Sequence, residues 1–345
     1  MLKKQNFFVE DFENLNKKIY HQRTIKSHIF HSLEWMKIVK ESLGVKYKIG
    51  TLKENDIIVA TLPFVSYHNL LKGACALPLQ FSGYYGSIVA DNDIVKKEIL
   101  NQFFEYCKKY KLYTQIPELN KIGGYKDFLG YSIYKIDLKA DSSIEEQILA
   151  RVNKRTRSYI KSSINSKLTC YSGSIELLDK FYLLYLQNMK ELGTPPLPKS
   201  YFKKIIKYLP KAAKIILVKN ETQVCCAMFL LKISKSELFA SAISTPRLYK
   251  TGQSSHFIYL QATKLAQKMG CSVMNFGRSI DGSGPALFKK RHGLEALPLL
   301  MYSTDENWTV TNPDKSFLRY AVAIWKKFPI VLSKLGGFIL SKHVI

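Results

Sequence analysis

Apolar residues recur at helical spacing over residues 33–43 and again over 93–110. Between them, residues 47–52 and 57–65 read as strands joined by the turn Glu54-Asn55-Asp56. Residues 143–166 carry one long amphipathic period, which predicts a single helix separating two halves. The second half repeats the order of the first. It predicts helices over 174–190 and 199–208, strands over 213–219, 223–233 and 236–243, a helix over 254–269 and a strand over 272–276. Two α/β units of similar size are therefore expected, although their residues are too dissimilar to prove a duplication. The pattern divides the chain into 1–142, 143–310 and a tail, 311–345. In the tail, Leu318, Val322, Trp325, Ile330, Leu335 and Phe338 interleave with Arg319, Lys326, Lys327, Lys334 and Lys342. Such a helix suits either an anionic membrane surface or the protein's own core.

The segment from Asn275 to Tyr302 combines several features of a binding site. A buried strand is expected over 273–276, then a loop with Gly277, Gly282 and Gly284, then Phe288-Lys289-Lys290-Arg291 and a second strand over 297–302. Glycines let the backbone approach a ligand, and Arg278, Lys289 and Lys290 suit an anion; the alternative is a surface hairpin with solvated cations. In the expected helix before it, Arg151, Lys154, Arg155, Arg157 and Lys161 fall within an arc of roughly 160° at 100° per residue. That face, Arg155 included, could track phosphates or could simply be solvated. Arg247 to Ser255 precedes a helix start, where free N–H groups hold phosphates; Gly252 and Ser254 are the small residues there, and ordinary capping is the alternative.

Composition narrows the classes. The 345 residues are 46% hydrophobic, ample for two cores. Fifty-two basic residues against 27 acidic give +25, which points to a polyanionic partner: nucleic acid, a phosphorylated donor or an anionic membrane. The six cysteines form no C-x-x-C pair and read as thiols of a reducing compartment. The seven histidines are dispersed, so no metal site is expected. No signal-peptide core or membrane-length apolar run is visible, and a cytoplasmic location is expected.

The order strand, Phe276-Gly277-Arg278-Ser279, glycine-spaced loop, Phe288-Lys289-Lys290, Gly293-x-Glu295-x-x-Pro298-Leu299 resembles the Fem-like (FemAB) acyltransferases, in particular their exosortase- and exopolysaccharide-associated subfamily. Leu192-Gly193-Thr194-Pro195 and the basic 151–164 segment resemble further parts of that pattern, as do, more loosely, Ser32-Leu33-Glu34-Trp35 and Gly83-Tyr84-Tyr85-Gly86. The resemblance spans roughly residues 30–305. It implies an α/β fold of two tandem GNAT-like (acyl-CoA N-acyltransferase) domains, each a mixed central sheet flanked by helices. It also implies acyl or aminoacyl transfer to an amino group of a cell-envelope or exopolysaccharide precursor, at the inner face of the membrane.

Acyl transfer to an amine needs positioning, a base and donors for the oxyanion, with no tightly bound cofactor. Arg278, Ser279 and the amides around Gly277 are candidates for the oxyanion, and Asp281, His256 or His292 for the base, with Glu191 more remote. Gly252, Ser254, Gly277, Lys289, Lys290 and Arg155 are candidates for the donor's phosphates. The GNAT phosphate turn, Q/R-x-x-G-x-G/A, survives here only in part, as Gly252 and Ser254, which leaves both acyl-CoA and aminoacyl-tRNA open as co-substrate. Two readings from other classes compete: an inactive GNAT scaffold that binds nucleic acid, and a peripheral scaffold of a polysaccharide machine.

Overall fold

The computed structural model describes residues 5–249, 253–310, 318–330, 334, 336–337 and 340–343. They divide into two compact units, residues 1–131 with 298–310 and residues 132–297 with 311–345.

Unit 1 contains β1 (Gln5–Asp11), α1 (Lys17–Thr24), α2 (Leu33–Leu43), β2 (Lys46–Glu54), β3 (Ile57–Asn69), β4 (Gly73–Pro78), β5 (Val89–Ala90), α3 (Asp93–Lys109) and β6 (Gln115–Glu118). The strands pair antiparallel in the order β1-β2-β3-β4, with β5 also on β3. The β2–β3 turn has Asn55 and Asp56 at φ 50° and 65°. Two successive positive φ values match the right-handed twist of a tight hairpin, and Asn and Asp tolerate them. Ser32 and Asn92 cap α2 and α3 by accepting from Trp35 N–H and Val95 N–H. Ile99, Phe103 and Cys107 of α3 are buried in one core with Leu62 and Phe64 of β3.

β7 (Phe128–Asp137) carries the chain into unit 2, which holds α4 (Ile144–Arg151), α5 (Lys154–Ile164), β8 (Thr169–Gly173), α6 (Leu178–Leu192), α7 (Lys199–Tyr208), β9 (Ala213–Lys219), β10 (Val224–Lys232), β11 (Glu237–Ser244), α8 (Ser254–Lys268), β12 (Val273–Ile280) and α9 (Gly284–Arg291). β13 (Glu295–Ser303) leads back to unit 1, and α10 (Leu318–Lys327) lies in the tail. The sheet of unit 2 runs β7-β12-β11-β10-β9-β8. Its strand β10 is apolar almost throughout, because α6 and α8 both pack against it. The sequence reading cut the chain at residue 142 and kept 298–310 with the second half. Those residues belong to unit 1 because Leu300–Ser303 of β13 pair with β6.

Two expectations are revised. The long helix over 143–166 is two helices, because Val152 is extended (φ −110°, ψ 151°) and Asn153 starts α5 by accepting from Thr156 N–H. Arg157 then donates back to the carbonyls of Leu149 and Val152, closing the end of α4. The single cationic arc therefore does not form: Arg151 sits on α4, and Arg157 serves the helix break.

The second revision concerns the tail. Of α10, Trp325 is buried, and Gly193 leaves room for Val322, since a Cβ there would lie 2.4 Å from Val322 Cγ1. Gly337 likewise lies against Pro196. One side of the tail thus packs on the Gly193–Pro196 turn, while Tyr320, Ile324 and Phe328 point outward. Leu335 and Phe338 lie outside the described residues. Among the described residues no helix is long and apolar enough to cross a membrane.

His28 and His31 of unit 1 both place Nε2 on the carbonyl oxygen of Gly86, at 3.1 and 2.9 Å. Burial pushes the His31 imidazolium down to about 4 and lowers that of His28. In the unfolded chain both would take up a proton near pH 6.5. Between pH 6.5 and 4 the unfolded state thus binds more protons, so stability falls on acidification through that window. Urea midpoints at pH 7 and 4.5 should differ in this sense, by on the order of 2–3 kcal/mol for His31. A His31→Gln protein should show a flatter slope; an unchanged slope would refute the assignment.

Candidate active site

β11 and β12 are parallel neighbours that begin together and then part. Pairing runs from Glu237 with Val273 to Phe239 with Asn275, after which β11 continues to Ser244 and β12 to Ile280. A register shift against β10 helps to turn β11 away: Phe229 faces Ala242 and Leu230 faces Ala240, so Ser241 opposes no β10 residue. The gap between two diverging parallel strands, at their carboxyl ends, is where α/β sheets place ligands.

Gly277 sits where β12 turns aside, with φ +71°. Its N–H donates to Asn275 Oδ1 at 2.8 Å, so this amide does not point at a substrate as the sequence reading had it. The turned backbone lets successive carbonyls converge on one cation. Lys289 of α9 donates to Phe276 O at 2.7 Å, Gly277 O at 3.1 Å and Arg278 O at 3.4 Å, and to Ser279 Oγ at 3.0 Å. Lys289 is only 4% exposed, and burial pushes its ammonium down to about 7. The expected phosphate ligand is therefore a brace between α9 and β12. The expected glycine loop is correspondingly short, because Gly277-Arg278-Ser279 belongs to the strand and Phe288-Lys289-Lys290-Arg291 to a helix capped by Ser283.

Arg278 is exposed and Ser279 is buried, as alternation along a strand requires. The two do not share a face. Asp281 accepts from Ser132 Oγ at 2.7 Å, close to Tyr134, whose ring also faces the Lys289 ammonium at 5.3 Å. Lys290 is exposed on α9.

A second group gathers around the start of α8. Ser254 is fully buried and Ser255 is 5% exposed, and neither hydroxyl has a hydrogen-bond partner among the described residues. Gln253 offers no side-chain cap, which leaves the first N–H groups of a 15-residue helix to other acceptors. Gly252 lies outside the described residues. His256, one residue further, is 3.1 Å from His292 through Nδ1 and Nε2. Its ring faces Tyr159 of α5, whose hydroxyl accepts from Arg155 Nε at 2.9 Å. Tyr259 stacks on Phe276 with centroids 4.4 Å apart, linking this group to the bend of β12. The segment entering α8 is held by α6: Asn188 accepts from Thr245 N–H, and Glu191 from Arg247 and Leu248 N–H. The sequence reading had set Glu191 aside as a remote base. Among the described residues no group of three or more metal-ligating side chains occurs.

The corresponding place in unit 1 is filled by the chain itself. β4 meets the segment before β6 in parallel only at Cys75 and Tyr113. Beyond it Gly86 N–H donates to Pro117 O and Ser87 N–H to Glu118 Oε1, while Lys96 pairs with the buried Glu118 at 2.9 Å.

No protein-family model matches the sequence, and no match is found among curated proteins. Solved structures do match. FemX superposes with a TM-score of 0.61 at 12% identity, covering 85% of this chain and 96% of that one. A tandem GNAT protein from the clavulanic acid biosynthesis pathway gives 0.54 at 6% identity, covering 89% and 100%. L-PGS from Bacillus licheniformis gives 0.52 at 12%, covering 85% and 96%. At these identities the likeness establishes the fold: the chain has the two-domain GNAT fold that the sequence implied.

Replacing Lys289 with Met leaves the carbonyls of Phe276 and Gly277 without a donor, and should cost about 1–3 kcal/mol. Gly277→Ala should cost about 1–2 kcal/mol through its backbone conformation alone, since the nearest atom to an added Cβ is 3.4 Å away. Thermal unfolding checks both, and unchanged midpoints would remove the brace from the account.

Proposed function

We propose that this protein is an N-acyltransferase of the Fem-like kind, moving an acyl or aminoacyl group from a phosphate-bearing donor to an amine. The observation that carries the reading is the start of α8: two buried serine hydroxyls without a hydrogen-bond partner among the described residues, in the first turn of a helix that its N-cap side chain does not close. Helix N-termini of this kind bind phosphate through N–H groups and the helix dipole. Ser254 and Ser255 would hold the donor's phosphate, and exposed Arg155 and Lys290 would add charge. Arg278 would face the oxyanion. An acyl-CoA and an aminoacyl-tRNA both fit this chemistry. The resemblance to the exopolysaccharide-associated subfamily supports an amino sugar of an envelope or exopolysaccharide precursor as acceptor.

Calorimetric titration with acetyl-CoA, longer acyl-CoAs and charged tRNA, at two salt concentrations, tests the donor. Saturable binding is expected, weakened about tenfold in Ser255→Val by loss of one hydrogen bond to a charged group. Arg278→Ala should keep its fold and lose turnover. Binding only to tRNA, with a steep salt slope and no preference for the charged form, would overturn the reading in favour of a merely cationic protein.

The outward face of α10 supports action at the inner membrane surface, where Lys327 beside Tyr320, Ile324 and Phe328 would meet anionic lipid. A Tyr320→Glu, Ile324→Glu double variant should lose co-sedimentation with vesicles containing phosphatidylglycerol. Equal sedimentation of both proteins would sink that location.

A further inference from the structure

The contact between His256 and His292 assigns their protons. His292 Nδ1 lies 3.3 Å from the carbonyl oxygen of Phe288, one turn earlier on α9. A carbonyl only accepts, so Nδ1 of His292 carries a proton. His292 is 3% exposed, and burial, with His256 nearby, pushes its imidazolium down to about 3. The ring is therefore neutral in the working range, and its Nε2 bears a lone pair. His256 Nδ1, 3.1 Å from that lone pair, must be the donor. It follows that neutral His256 has its proton on Nδ1 and its lone pair on Nε2.

The surroundings of the pair suit proton transfer. His256 stands in the first turn of α8, directly after Ser254 and Ser255. Tyr159 of α5 and Phe288 and His292 of α9 face it, with Arg155 bonded to the Tyr159 hydroxyl, and Tyr259 faces His292.

We propose that His292 is a positioning residue that locks His256 in the Nδ1–H tautomer, and that Nε2 of His256 takes the proton from the attacking ammonium. This rests on the N-acyltransferase reading above. In the step, one N–H bond of the acceptor's ammonium breaks and its proton passes to Nε2. The freed amine forms the N–C bond to the donor's carbonyl carbon. The C–S or C–O bond to the donor breaks with its electron pair on the leaving group. A second proton from the substrate nitrogen is shed as the amide forms, so one proton in all neutralises the leaving thiolate or alkoxide and the other is returned to water when His256 is reset.

The test is two-bond ¹H–¹⁵N correlation spectroscopy of histidine-labelled full-length protein at pH 7.5, which reads the tautomer of each ring without any substrate. The wild type should show His256 protonated on Nδ1. His292→Phe should move it to the Nε2–H form, and His292→Gln, whose amide oxygen can accept from Nδ1–H, should restore it at least in part. An Nε2–H tautomer for His256 in the wild type, or no change in His292→Phe, overturns the positioning role. Turnover of acetyl-CoA with glucosamine, or of the donor that calorimetry selects, then separates the two claims. His292→Phe should lower kcat about ten- to a hundredfold with KM unchanged, as loss of a correctly oriented base does. Full turnover in His256→Gln overturns the catalytic role while leaving the acyltransferase reading in place. No turnover by wild type with any donor overturns that reading and the catalytic role with it, while the tautomer result still decides the positioning role.

Discussion

The contact on which unit 2 depends most is the Lys289 ammonium held by the carbonyls of Phe276, Gly277 and Arg278. Parallel strands that part leave main-chain groups without partners, and a buried carbonyl without a donor costs about 1–3 kcal/mol. Lys289 offsets that cost from α9, using a cation with three donors where backbone amides are missing. The arrangement needs a residue that can turn the strand, which is Gly277, and an ammonium that arrives from outside the sheet. Both lie in the Phe276-Gly277-Arg278-Ser279 and Phe288-Lys289-Lys290 segments. The motif's glycine and first lysine thus serve the shape of the site, while Arg278 and Lys290 are exposed.

How much of this was legible in sequence depended on the range of the physics involved. Local periodicity placed α2, α7 and the β2–β3 hairpin with little error, because caps, turn residues and apolar spacing all lie within a few residues of one another. The same periodicity joined α4 to α5, since Val152 continues the apolar stripe and only Asn153 as a capping residue marks the break. Two residues read as ligands or bases in sequence, Lys289 and Glu191, turned out to serve the main chain. Their acceptors and donors lie 10–13 and 56–57 residues away, beyond any spacing rule. The pairing of His256 with His292 was hidden for the same reason, although each had been marked as a candidate base.

The two units share a plan and differ in what fills it. In unit 1 the space beyond the short parallel contact at Cys75 is closed by Gly86 and Ser87, which bond to Pro117 and Glu118. Glu118 is buried and tied to Lys96, so opening that space would strand a charge. Unit 2 has no such return of the chain among its described residues. At the start of α8, the hydroxyls of Ser254 and Ser255 are buried without a hydrogen-bond partner among the described residues.

Within unit 2, one helix end supports both the entry to α8 and the tail. Glu191 and Gly193 are two residues apart at the close of α6. The carboxylate of Glu191 fixes the amides of Arg247 and Leu248 on the way into α8, and Gly193 supplies the space in which Val322 of α10 sits. Any Cβ at Gly193 would meet Val322 at 2.4 Å, and its φ of +75° disfavours other residues in any case. A shift of α10 therefore has a short route to the α8 entry: through the last turn of α6 to the two amides that Glu191 holds. The Leu192-Gly193-Thr194-Pro195 segment, which touches neither the β12 bend nor the histidine pair in any described contact, thereby acquires a physical reason to resemble the acyltransferase pattern. It is the joint at which the outward-facing tail and the entry to α8 rest on the same helix.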